Sequence, residues 1–103
     1  MILPPGAVVG RAGFGFAPRG VGSYEKLTQA GTVDLAVVVE VQANACVDRA
    51  TVGTTTVGRG TRIDNLVQVG HGCHVGEDSL ICSGTGLAGS TVIGDRAVLA
   101  GQV

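Results

Sequence analysis

The chain has 103 residues, a formal net charge of −1 and only 15% charged residues, so it holds one domain at most and lacks the basic footprint of a nucleic-acid binder. Its aromatic residues are Phe14, Phe16 and Tyr24, with no Trp, against 18 glycines. That balance disfavours an ordinary globular core and suits short strands of small β-branched side chains broken by frequent corners.

In chain order, Met1-Ile2-Leu3-Pro4-Pro5 carries neither a basic region nor an apolar segment of signal-peptide length, which points to the cytoplasm. Leu3 and Val9 form a first pair of aliphatic residues six apart, with Ala7 as a small residue between them. The spacing then vanishes until Leu35. Residues 11–34 hold Gly13-Phe14-Gly15-Phe16, Pro18 and Tyr24, and are expected to form an irregular excursion loop. Gly13-Phe14-Gly15-Phe16 is no phosphate loop, because no helical pattern follows and no Lys-Ser/Thr pair closes it. The two Phe rings either pack this loop onto the body or touch a ligand. Leu35, Val41 and Val47 resume the six-residue step, and the stretch from Leu35 to Val41 is too short and too charged, through Glu40, to cross a bilayer. Between Val47 and Val57 the step breaks, and an interrupted or tightened coil is expected near residues 51–56.

From Val57 the period is unbroken: Val57, Ile63, Val69, Val75, Ile81, Leu87, Ile93 and Leu99. Four places after each stands a small or β-branched residue, expected to let the chain turn, and Gly or Ala often follows the aliphatic directly. A hexapeptide strand alone buries almost nothing, so three must make a triangular coil and the coils must stack. The predicted fold is all-β: a left-handed parallel β-helix, a hexapeptide-repeat solenoid, forming a single segment over 1–103. Val57, Val75 and Ile93 should form one inward ladder, Ile63, Ile81 and Leu99 a second, and Val69 with Leu87 a third. The chain stops in mid-coil, and neither end carries a cap, so it reads as a fragment.

Cys46, Cys73 and Cys82 are odd in number and show no CxxC spacing, which favours small buried residues over disulfides or a zinc site. The histidines are His71 and His74. His71 falls at an outward corner flanked by Gly70 and Gly72, with Asp64 and Asn65 on the preceding strand. A carboxylate there could orient the imidazole as a general base; the plain alternative is an inert corner residue. His74 adjoins an inward position and reads as structural or solvent-facing. Two histidines are too few for a zinc enzyme of the γ-carbonic anhydrase type, which needs three.

Several stretches together resemble one family. Val9-Gly10-Arg11-Ala12-Gly13-Phe14-Gly15-Phe16-Ala17, Lys26-Leu27-Thr28-Gln29-Ala30-Gly31, Val47-Asp48-Arg49-Ala50, Ile63-Asp64-Asn65-Leu66-Val67-Gln68-Val69-Gly70-His71 and Leu87-Ala88-Gly89-Ser90-Thr91-Val92-Ile93-Gly94 are similar, in order and spacing, to motifs of the UDP-3-O-(3-hydroxyacyl)glucosamine N-acyltransferases of lipid A synthesis. Related UDP-N-acetylglucosamine O-acyltransferases share the hexapeptide but lack the first and third of these stretches. The resemblance implies a homotrimer that moves a 3-hydroxyacyl chain from acyl carrier protein to the 2-amine of a UDP-sugar, without metal or organic cofactor. It implies His71 as general base, Asp64 as the group that orients it, and Asn65, Gln68, Phe14 and Phe16 as substrate contacts. Ala36, Gln42, Val37-Val38 and Thr28 depart from the family pattern, outside the His71 motif. The family's N-terminal uridine-binding domain, later coils and C-terminal helices have no counterpart in these residues. A purely structural solenoid remnant is the reading that remains if those parts are essential.

Overall fold

A computed structural model describes residues 3–103 and contains fourteen strands. Twelve of the strands form three parallel four-stranded sheets, the three walls of a prism. The first wall stacks β1 (Val8–Arg11), β6 (Cys46–Asp48), β9 (Gln68–Val69) and β12 (Gly86–Leu87). The second stacks β4 (Thr32–Leu35), β7 (Thr54–Val57), β10 (His74–Val75) and β13 (Val92–Ile93). The third stacks β5 (Glu40–Val41), β8 (Arg62–Ile63), β11 (Leu80–Ile81) and β14 (Val98–Leu99).

The three predicted ladders are present: Val57–Val75–Ile93, Ile63–Ile81–Leu99 and Val69–Leu87 pair directly across parallel neighbours. Upstream they extend to Leu35, Val41, Val47 and Val9. Most of these aliphatics are fully buried, each worth roughly 1.5–3 kcal/mol of transfer energy. The small residues four places on also point inward: Thr61, Val67, Cys73, Ser79 and Thr85 are all buried. They fill the prism corners and do not make the turns. Their polar groups are satisfied along the axis: Thr61 Oγ1 donates to the Gly76 carbonyl at 2.6 Å, Ser79 Oγ to that of Gly94 at 2.8 Å and Thr85 Oγ1 to that of Ala100 at 3.2 Å. The Cys73 thiol joins this series through the Ala88 carbonyl, and Cys46 and Cys82 are half-buried free thiols.

The turn is made one residue earlier. Gly60, Gly72 and Gly84 adopt positive φ there, as do the non-glycine residues Val38, Asn44, Leu66, Asp78, Ser90, Arg96 and Gln102. The glycines directly after the aliphatics serve another purpose: a Cβ on Gly58, Gly70 or Gly76 would strike the backbone of the next coil at 2.6–2.7 Å. Val38, at φ 61°, is the costliest of the non-glycine turns, since β-branching clashes in the left-handed region. Its side chain is exposed, so nothing is gained from packing. Val38→Asn should stabilise the fold by about 1 kcal/mol, seen as a higher denaturant midpoint at unchanged m-value.

Two expectations need correction. The excursion is not irregular throughout: β2 (Phe16–Pro18) and β3 (Tyr24–Lys26) pair as an antiparallel hairpin, and β4 begins inside the expected loop. The coil between Val47 and Val57 is enlarged, not tightened. Its corner at 50–53 receives the returning excursion, whose Ala30, Gly31 and Thr32 amides donate to the carbonyls of Thr51, Ala50 and Gly53. Gln29 is buried in this junction, with its side chain bonded to Thr51 Oγ1 at 2.7 Å and to the Leu27 carbonyl at 3.1 Å. The extra residues exist to dock the loop.

Candidate functional site

His71 lies on the edge that follows the first wall, two places after Val69, beside the start of the excursion. Its ring is half-buried and clasped from two sides. A Cβ on Gly13 would fall 2.7 Å from His71 Cβ, and one on Gly89 would fall 2.5 Å from both Cε1 and Nε2. These glycines make room for the imidazole. Gly70 instead admits the next coil, and Gly72 supplies a positive-φ turn. The chain beyond the ring is fixed by the Ser90 amide, which donates to the His71 carbonyl at 2.8 Å.

The carboxylate on this edge is Asp48. It follows Val47, which pairs with Val69, and it is 8% exposed. Gln68 Nε2 donates to its Oδ2 at 2.7 Å. Burial pushes the Asp48 carboxyl above its ordinary value, against opposing pulls from the Gln68 hydrogen bond and from positive charge at His71 and Arg11. Burial likewise raises the Cys73 thiol, which keeps it protonated and inert.

Asp64 and Asn65 sit on a different edge, after the third wall. There Asp64 accepts the Asn65 amide at 2.7 Å and the Ser83 amide at 3.1 Å, and Asn65 Oδ1 accepts the Ala43 amide at 3.1 Å. Within one chain neither residue is on the His71 edge, because a six-residue step moves the chain on to another wall. His74 is exposed on the second wall, with Nδ1 2.8 Å from Thr56 Oγ1.

In front of the His71 edge lies an open groove of about 480 Å³, whose lining includes Arg11, Gly13, Phe14, Lys26, Asp48 and Gln68. The Phe14 and Phe16 rings meet edge to face with centroids 5.0 Å apart, and Phe14 is 86% exposed. They therefore do not pack the loop onto the coil. With Tyr24 they line an apolar concavity of about 530 Å³. The structure thus gathers His71, Gln68, Phe14 and Phe16, adds Asp48, Gly13 and Gly89, and leaves Asp64 and Asn65 elsewhere. The Val47-Asp48-Arg49-Ala50 stretch contained Asp48, but only the stacking of β6 on β9 shows that it neighbours the His71 edge. Among the described residues, no group of three or more His, Cys, Asp or Glu side chains is disposed to hold a metal ion. Among these residues, likewise, no helix is long and apolar enough to cross a membrane.

A half-buried imidazole on an edge beside a groove with an apolar flank can take a proton from a nucleophile beside an acyl chain. Residues 54–89 match the bacterial transferase hexapeptide (six repeats) family. A UDP-3-O-acylglucosamine N-acyltransferase of Anaeromyxobacter dehalogenans is 53% identical over 98% of this chain and 30% of its own length. Proteins of that name from Methylorubrum populi and Chlorobium chlorochromatii are 47% and 46% identical, over 100% and 89% of this chain and 29% and 26% of their own lengths. The chain spans about three-tenths of the length of these curated relatives. Over that span, with its repeats, its docked excursion and its edge histidine, the chain belongs to the UDP-3-O-acylglucosamine N-acyltransferase family.

Proposed function

We propose that this segment forms the catalytic edge of an N-acyltransferase that moves a 3-hydroxyacyl chain from acyl carrier protein to the 2-amine of UDP-3-O-acylglucosamine, in lipid A synthesis. The observation that carries this reading is His71, held between Gly13 and Gly89 beside a groove with Phe14 and Phe16 on its flank. The amine nitrogen attacks the thioester carbonyl while His71 takes the amine proton. The tetrahedral intermediate then collapses, the C–S bond breaks, and the proton passes to the departing thiolate of the carrier. The donor thioester is already activated, so the reaction needs no metal or organic cofactor. Gln68 faces the groove as a substrate contact.

Asp64 and Asn65, being on another edge, would enter such a site from a neighbouring copy. That placement favours a homotrimer in which each groove is completed by the adjacent prism. The cytoplasm is where acyl carrier protein would be met.

The test uses the full-length gene product with 3-hydroxyacyl carrier protein and UDP-3-O-acylglucosamine. One amide resistant to mild alkali should form per carrier thiol released. An alkali-labile ester on UDP-N-acetylglucosamine, or no transfer at all, would refute the reading.

A further inference from the structure

Among the described residues the buried Asp48 carboxylate forms no ion pair, although Arg11 is its neighbour across the β1–β6 ladder. Among the described residues the ion pair formed is Arg62–Glu40, on a different wall, and the only hydrogen-bond partner of the Asp48 side chain is the neutral Gln68 amide. A charge so placed is costly unless something on its edge becomes positive during function. The group able to do so is His71. Asp48 ends β6 and His71 lies two residues beyond β9, its paired neighbour in the first wall, so the two stand on successive coils of one edge. The Gly13–Gly89 clasp fixes the ring, so the relation between the two groups is preorganised.

We propose that Asp48, held by Gln68, is a positioning residue for His71, its carboxylate stabilising the imidazolium formed when His71 takes the amine proton. This rests on the acyl-transfer reading above. The other charged or titratable groups around Asp48 are Arg11 from β1 and Lys26 from β3 across the groove, Cys46 on β6 itself, the adjoining Arg49, and the inward thiol of Cys73. Arg11 is the neighbour of Asp48 across the β1–β6 ladder and Lys26 lines the groove, and neither exchanges a proton in the reaction. His71 is the partner whose charge changes between ground state and transition state, and only such a change contributes to rate.

Asp48→Asn keeps the side-chain shape and an oxygen for Gln68. In the full-length gene product it should lower kcat/KM roughly tenfold, the rate equivalent of one unit of lost charge stabilisation. The loss should fall on kcat with KM little changed, because the positive charge that Asp48 stabilises develops only in the transition state. The thermal midpoint at neutral pH should hold or rise, since the substitution removes a buried charge. That sign follows from the raised Asp48 carboxyl: its desolvation penalty is absent below the unfolded value of 3.8 and complete above the folded one. A merely structural role would give the reverse, a lowered midpoint with kcat and KM moved together. If Asp48→Asn does not assemble, Asp48→Ala with added formate supplies a second measure, and failure of formate to restore kcat would overturn the proposal. An unchanged kcat in a folded Asp48→Asn protein, with His71→Ala inactive, overturns the Asp48 role and leaves acyl transfer standing. An active His71→Ala overturns both.

Discussion

His71→Ala should lower N-acylation turnover by about 10²–10⁴-fold, or roughly 3–5 kcal/mol of barrier, while the prism still folds. The loss is large because no second imidazole can replace it: His74 is on the second wall, bonded to Thr56, and faces away from the groove edge. Folding should survive because the structural contribution of residue 71 is its carbonyl, which receives the Ser90 amide whatever the side chain. His74→Ala should leave turnover near normal. Asp64→Asn should cost less activity than His71→Ala, and should also weaken the corner, since the carboxylate there accepts two backbone amides. Turnover with matched circular dichroism separates these cases. Near-normal turnover in His71→Ala would refute the general-base assignment while leaving the β-helix untouched.

The second large effect comes from a residue with no functional group. In Gly89→Ala the new methyl would lie 2.5 Å from His71 Cε1 and Nε2, and one of the two must move. The Gly89 backbone is not in the left-handed region, so alanine is tolerated there without strain. The imidazole is the softer partner, free to rotate about its own side-chain bonds, and it should be displaced on the order of 1 Å. Misplacement of that size costs about 10²-fold in rate. The expected signature is a kcat loss with little change in KM and an unaltered melting transition. Gly94→Ala is the control, because a Cβ there meets nothing within 4 Å. Equal activity in Gly89→Ala and Gly94→Ala would mean that the clasp on the ring has no catalytic importance.

The ladders were legible in the sequence because one constraint, an aliphatic every sixth residue, acts at every coil and nothing competes with it. The excursion was legible only as a gap in that pattern. Its hairpin rests on three residue pairs, Phe16–Lys26, Ala17–Glu25 and Pro18–Tyr24, which carry no alternation of apolar and polar side chains to announce it. The enlarged corner at 50–53 was misjudged for a similar reason. Its length is set by where Ala30, Gly31 and Thr32 must land, a contact between segments some twenty residues apart. The site divided the same way. His71, Gln68, Phe14 and Phe16 were recognisable as motif members; Gln68, Phe14 and Phe16 line one groove, and His71 lies on the adjoining edge. Asp64 seemed the natural partner for His71 because it is near in sequence, yet six residues carry the chain around the prism to another wall. Asp48 is far in sequence and near in space, since stacking, not adjacency, decides neighbours in a solenoid.

The clasp around His71 also constrains how the site can come into being. Coils of a solenoid add by nearest-neighbour contact, and growth can nucleate at any point along the axis. Gly13 belongs to the first coil's departing loop, Asp48 to the next layer, His71 to the one after and Gly89 to the layer beyond. No single layer contains a usable fraction of the machinery. Growth that stalls at any interface between Arg11 and Gly89 yields a partly wound molecule that has much of its strand content but an unsupported imidazole. Recovery of turnover on refolding therefore times the arrival of uninterrupted winding across four layers, while circular dichroism times only the first.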